Sequence, residues 1–372
     1  MRKIVSFIFL SLLLGFTGCD SDDGGTTPPE ETNFDRAPLL ANWADNIIIP
    51  AYTDFATSLQ TLEQAVTDFN NDPTIDNLNT LRGSWLSSYT IWQRVSMFET
   101  GPAETVNLRL NLNIYPADAG LIEDNILAGS YNLDLPSNRV AKGFPALDYL
   151  LFGLGADDTS ILAKYQNSEG QGHRDYLVAI ITDMLLLTNE VKTEWETGYR
   201  DTFVSNSGSS ATASVDRYVN DFIFYYEKHL RAGKMGIPLG VFSGNVLPEN
   251  IEAYYNGNVS KQLFLEGLNA VQDFFNGKAY NSNSEGESLK SYLNTLNTVK
   301  DGVDLSTIIN NQLNEARSRV QNLQSFKLEL ENNPPTAMLQ AYDEVQKVVP
   351  LLKVDMVSAM SISIDFVDAD GD

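Results

Sequence analysis

From Arg36 onward, apolar residues recur three and four positions apart almost without interruption. Phe55, Leu59, Leu62, Val66 and Phe69 advance by steps of 4, 3, 4 and 3, so all five fall on one stripe of an α-helix. Leu78, Leu81, Trp85, Tyr89 and Trp92 predict a second helix, with Asp72-Pro73 as its start signal. Tyr176, Ile180, Met184, Leu187 and Val191 predict a third, and Val215, Tyr218, Phe222, Tyr225 and Leu230 a fourth. Further along, Leu263, Leu268, Val271 and Phe275 share one stripe, while Ile309, Leu313, Ala316, Val320 and Leu323 share another. Ser284 with Glu287 reads as a capping box ahead of Leu289, Leu293 and Leu296. Asn333-Pro334-Pro335 breaks the chain before a last helix carrying Met338, Tyr342, Val345 and Leu352. Pro50 and Pro350 lie inside helical patterns and are expected to kink them. Strand-like alternation is confined to Ile362, Ile364 and Phe366. The pattern predicts an all-α protein of two packed helical bundles, residues 36–235 and 236–372, with an irregular stretch around Gly233 to Tyr255 between them.

The first residues follow a different rule. Arg2 and Lys3 precede a 13-residue apolar stretch, Ile4 to Phe16, that is short for a bilayer span and has the anatomy of a secretory signal. Thr17-Gly18 before the single cysteine resembles a bacterial lipoprotein signal, which makes residues 1–18 the signal peptide and Cys19 the lipidated first residue of the mature chain. Asp20 to Asn33 offers nothing to a core, so residues 19–35 read as a lipid anchor with a disordered acidic tether. Those 14 residues span roughly 20 Å as a flexible coil. The expected place of work is the cell envelope, anchored to the outer membrane and facing the periplasm or the cell surface.

Composition removes more functions than it proposes. The 372 residues carry 25 Lys+Arg against 49 Asp+Glu, a net charge of −24 that becomes −26 when the signal takes Arg2 and Lys3 with it. Without a basic run, nucleic acid is excluded as a partner. One cysteine excludes a disulfide framework, a cysteine-rich zinc module and an iron–sulfur cluster, and two histidines leave little for a multi-histidine metal centre. No H-E-x-x-H, Walker loop, dinucleotide fingerprint or G-x-S-x-G elbow occurs. His229 is expected near a helix C-terminus as a dipole-favoured cation, and His173 as a solvated surface residue. The terminal Asp368-Ala369-Asp370-Gly371-Asp372 opens like a calcium loop but stops before the distal Glu.

Within the apolar block Gly143-Phe144-Pro145-Ala146-Leu147-Asp148-Tyr149-Leu150-Leu151-Phe152-Gly153, a single carboxylate, Asp148, must be paired, hydrogen-bonded or solvated through a cleft, unless Pro145 starts a helix that keeps it near the positive end of the dipole. This block resembles the imelysin-like family, whose G-x-H-x-x-E motif sits in a G-F-H-A-I-E-Y-L-L-F-G frame; here the frame is kept from Gly143 while Pro145 replaces the His and Asp148 the Glu. Trp85 to Pro102, Arg109 to Asp118 and Lys234-Met235-Gly236-Ile237-Pro238-Leu239-Gly240 are similar to the family as well. The resemblance implies two helical bundles with a site in the cleft between them, export to the envelope, links to iron uptake, and a proposed metallopeptidase activity. The cleft-lining residues it carries over are Glu99, Arg109, Tyr115, Asp118, Asp148 and Ser243, with Arg109 free to pair with Asp148 or with an anionic ligand. Proline offers no donor atom, and Asp withdraws the carboxylate by about 1.5 Å, one C–C bond, where metal sites tolerate about 0.2 Å. The expected function is therefore a monomeric, non-catalytic binding lipoprotein serving iron or haem acquisition, with a metallopeptidase and a structural or adhesive surface protein as alternatives. No cofactor is assigned; iron, haem or zinc are the candidates, and Asp148 is a weak candidate metal ligand.

Overall fold

The computed structural model describes residues 34–364 other than 167 and 169. Residues 1–33, with Cys19 and most of the expected tether, Phe366 and the terminal acidic run lie outside the described residues, while the tether's last two residues are ordered: Phe34 stacks on Tyr292 at 4.2 Å and Asp35 caps the first helix by accepting the Ala37 N–H.

The predicted stripes become buried faces. In the helix Ile49–Asn71, Phe55, Leu59, Leu62, Val66 and Phe69 are all inaccessible to solvent, and they face Leu78, Leu81, Trp85, Tyr89 and Trp92 of the helix Ile75–Val95. Thr74, rather than Asp72, caps that second helix by accepting the Asn77 N–H. Ser88 Oγ donates to the Ser58 carbonyl at 2.9 Å and so pins the two helices in register. The long helix Gln171–Glu194 completes the first group, burying Tyr176, Ile180, Met184 and Val191 while Leu187 stays half-buried. Ser260–Asn276, Leu305–Gln321 and Thr336–Gln346 form a second group on the stripes that the sequence predicts. One hydrophobic core runs through both groups, from Leu39 to Ile362.

Both internal prolines sit beside widened turns. The chain is helical from Arg36 to Asn71 but relaxes to a π-helix over Trp43–Ile48, just before Pro50. Pro50 has no N–H to give the Asn46 carbonyl, which instead accepts the Tyr280 N–H at 2.8 Å. The bond that proline removes from the helix thus fastens a distant loop. Pro350 is followed by the π-helix Leu351–Met356.

Three local readings are corrected. The capping box ahead of Leu289 is formed by Ser288 and Ser291, not by Ser284 and Glu287. Residues 362–364 carry no strand; Ile362 packs into the core. The strands present among the described residues, Val299–Lys300 and Val303–Asp304, pair antiparallel around Asp301-Gly302, both at positive φ as a tight hairpin turn requires.

Candidate functional site

The motif segment begins where only glycine fits. Gly143 has φ +71°, and a Cβ there would lie 2.2 Å from the Leu112 carbonyl oxygen. The short helix Gly143–Asp148 and the π-helix Tyr149–Gly153 that continues it are nested against the 75–95 helix, where Phe144 stacks on Tyr89 at 4.3 Å and Arg82 donates twice to the Leu151 carbonyl. Pro145 occupies the first turn, where a missing N–H costs nothing. Asp148 is 1% exposed and lies at the end of the helix, not near its positive pole. Its Oδ2 accepts the Tyr255 N–H at 2.8 Å and its Oδ1 the Asn256 N–H at 3.0 Å. Burial pushes its pKa up to about 7 against the opposing pull of those two amides and Lys327. Pro145, Asp148, Tyr115, Glu249 and Tyr255 line a cavity of about 220 Å³. The carboxylate is therefore a clasp on the 251–256 segment.

Behind that segment lies a buried polar knot assembled from three of the family-like stretches. Lys234 Nζ is bonded to Glu252 Oε2 and, at 2.8 Å, to Gln93 Oε1. Glu252 Oε1 accepts from Asn113 at 2.8 Å and from Gln93 at 3.2 Å, and Asn113 accepts the Tyr89 hydroxyl at 2.6 Å. Burial lowers the Lys234 pKa while Glu252 opposes the shift. The knot satisfies its charges internally and presents no free ligand-binding group.

A second, larger cavity of about 480 Å³ is lined by Glu99, Arg109, Leu110, Asp221, Phe224 and His229, with Glu104 and Arg217 also on its wall. Arg109 holds it together. Its backbone N–H donates to both oxygens of Glu99 at 3.0 Å, its Nε to the Ser96 carbonyl at 2.8 Å, and its Nη2 lies 3.4 Å from Asp221. Burial pushes Glu99 up to about 7, with Arg109 opposing and Asp221 reinforcing; burial likewise raises Asp221. His229 is driven well below its ordinary value by burial and then by Arg109 and Lys234, so its imidazole is neutral.

The candidates from sequence thus separate. Glu99 and Arg109 belong to the larger cavity, and Tyr115, Pro145 and Asp148 to the smaller one. Arg109 pairs with Asp221, not with Asp148. Asp118 is exposed and caps the helix Ala119–Ala128, accepting the Leu121 N–H; Ser243 is exposed in a turn, bonded to Asn245. Neither lines the cavities. His229 is no helix-terminal cation: it sits inside the π-helix Tyr225–Gly236 and faces the larger cavity. His173 is buried rather than solvated, edge-on to Tyr165 and 3.6 Å from Glu123. Asp221 and Glu252 were missed. Asp221, Tyr225 and His229 recur at i, i+4 and i+8, a spacing that puts them on one helix face and could have drawn attention to it.

Zinc or iron at the motif does not fit these residues, since Pro145 has no donor and Asp148, tied by its two oxygens to the Tyr255 and Asn256 amides, would stand as a lone carboxylate ligand. Nor do three His, Cys, Asp or Glu side chains converge on a metal-binding arrangement anywhere among the described residues.

The Imelysin (Peptidase_M75) family model matches residues 48–351. An "Iron-regulated protein A" from Synechococcus elongatus (strain ATCC 33912 / PCC 7942 / FACHB-805) is 24% identical over 179 residues, a match that spans 47% of this chain and only 46% of that relative. Among solved structures, an imelysin-like protein from Psychrobacter arcticum 273-4 is 18% identical with a TM-score of 0.68 over 89% of this chain and 97% of that one. A Parabacteroides distasonis ATCC 8503 protein described as an iron-regulated protein A precursor is 17% identical with the same TM-score of 0.68, over 90% and 97%. At these identities the structural likeness speaks for the all-α fold, while the sequence match over most of the chain speaks for descent: the protein belongs to the imelysin family.

Proposed function

We propose that this protein is a lipid-anchored, non-catalytic binding protein of the cell envelope, and that its ligand occupies the 480 Å³ cavity beside Glu99, Asp221 and His229. The observation that carries the reading is His229. It is a neutral imidazole on the wall of a cavity of ligand size, without a hydrogen-bond partner among the described residues, and it shares that wall with two carboxylates whose pKa values are raised. Polar groups poised in this way favour capture of a ligand that supplies the missing bonds. Against peptidase chemistry stand Pro145, which has no donor atom where the family motif has His, and Asp148, whose carboxylate is tied to the Tyr255 and Asn256 amides. The setting is iron or haem acquisition, a reading supported by relatives named for iron regulation, with anchoring through Cys19 and the acidic tether.

Native mass spectrometry of protein purified from its own envelope tests the reading. A small molecule should travel with the wild type and be lost when Leu110→Trp fills the cavity, while neither form cleaves peptides above background. A stoichiometric ligand that survives Leu110→Trp, or metal-dependent cleavage abolished by Asp148→Ala, would sink it.

A further inference from the structure

We infer that the cavity ligand is a small organic ammonium ion, a protonated primary amine attached to an apolar body. This assignment rests on the cavity being the ligand site. Its wall carries three carboxylates, Glu99, Glu104 and Asp221, against two guanidinium groups, Arg109 and Arg217. Arg217 pairs with Glu104 at 2.7 Å, and Arg109 lies against Asp221 and the Ser96 carbonyl. Glu99 is left over, its oxygens accepting only the Arg109 backbone N–H among the described residues. A carboxylate has about four acceptor positions, so acceptors remain on Glu99. With Glu99 ionised, as an arriving cation favours, one unit of negative charge is uncompensated, and a monocation neutralises it.

An ammonium group brings three donors. Glu99, Asp221 and the unpartnered His229 supply acceptors of the matching kind. A metal ion would need several ligand atoms converging at about 2.0–2.2 Å, and no such group of His, Cys, Asp or Glu exists among the described residues. An anion would meet Glu99 with both nearby guanidinium groups already paired. Leu110 and Phe224 offer the apolar wall against which the rest of an amine packs.

The test is titration calorimetry on the soluble mature chain with phenethylamine, its alcohol counterpart phenethyl alcohol, and phenylacetate, with zinc and ferrous iron each added alone in parallel. The amine should bind one-to-one, at least about tenfold more tightly than the alcohol or the acid, a difference of about 1.4 kcal/mol. Glu99→Gln should weaken it about tenfold or more, His229→Ala by a smaller factor, and Leu110→Trp should abolish it; circular dichroism confirms that each variant is folded. If Glu99→Gln does not fold, the amine-to-alcohol ratio in wild type and the loss in Leu110→Trp decide. Phenylacetate binding that Leu110→Trp removes, with no amine preference, would overturn the ammonium assignment and leave the cavity reading standing. Tight zinc or iron binding lost in His229→Ala would replace it with a metal site. Binding of none of the probes at millimolar concentration, together with a native ligand indifferent to Leu110→Trp, would overturn both readings.

Discussion

Asp148 shows how one side chain can tie together two segments more than a hundred residues apart. Each of its oxygens takes a backbone N–H from the 251–256 segment, and no other side chain accepts from those two amides. Asp148→Ala leaves two half-buried donors unpaired at a cost of about 1–3 kcal/mol each, so a loss of roughly 2–6 kcal/mol in urea-unfolding free energy is expected. Asp148→Glu, with the carboxylate kept but displaced in a site that is 1% exposed, should fall between the two. Glu99 gives a pH signature of its own. Its folded pKa of about 7 stands above the ordinary 4.5, so the native state holds a proton that the unfolded chain has already released. Its contribution is fully present below about pH 4.5 and is lost as the pH rises through about 7. Glu99→Gln should therefore flatten the fall in stability between those values. A variant whose midpoint follows the wild-type slope throughout that range would show that Glu99 is not the group responsible.

Among the elements, the π-helix Tyr225–Gly236 does the most unusual work, carrying His229 to the larger cavity and Lys234 into the buried knot. Removing one partner of a buried pair strands the other, which costs about 3–5 kcal/mol. Lys234→Met should lose that much, and adding Glu252→Leu should recover a substantial part of it, a coupling that a double-mutant cycle in urea would measure. Strict additivity would mean that the pair is not coupled. These elements also mark the limit of what the sequence made legible. Stripes such as Phe55 to Phe69 could be read because burial of one helix face is written in the spacing itself. The position of Asp148 could be read as demanding a partner, but the partners are backbone amides more than a hundred residues away, which leave no trace in side-chain identity. The expectation of a helix-terminal cation at His229 fails because π-helical continuation has no periodic signal, and the burial that neutralises the imidazole, reinforced by Arg109, is set by distant parts of the chain. The hairpin at Asp301-Gly302 did carry its turn dipeptide; its two-residue strands were simply too short to alternate.

At the scale of the whole molecule, the described residues share one core, and buried polar ties cross it from early chain to late chain. Arg36 is paired with Asp216 at 2.7 Å and bonded to the Tyr292 hydroxyl, Asn42 donates to the Gly277 and Glu287 carbonyls, and Arg94 reaches Asp273 at 2.8 Å. Melting the helices after residue 236 alone would strand several of these groups and expose the faces of Leu263, Phe264, Leu268 and Val271, which are buried. With stranded buried groups costing about 1–3 kcal/mol each, partial unfolding should be disfavoured, and the soluble chain should lose its structure in one transition. The tryptophans make the test clean, because Trp43, Trp85, Trp92 and Trp195 all precede residue 236 whereas helical circular dichroism samples both parts of the chain. Coincident urea curves by fluorescence and circular dichroism are expected, and Arg36→Leu, which strands the Asp216 carboxylate, should move both midpoints down together. A dichroism curve with an earlier step that fluorescence does not register would mean that the C-terminal helices fold as a separate unit, and Arg36→Leu, whose stranded partner Asp216 also precedes residue 236, should then narrow the gap between the two curves.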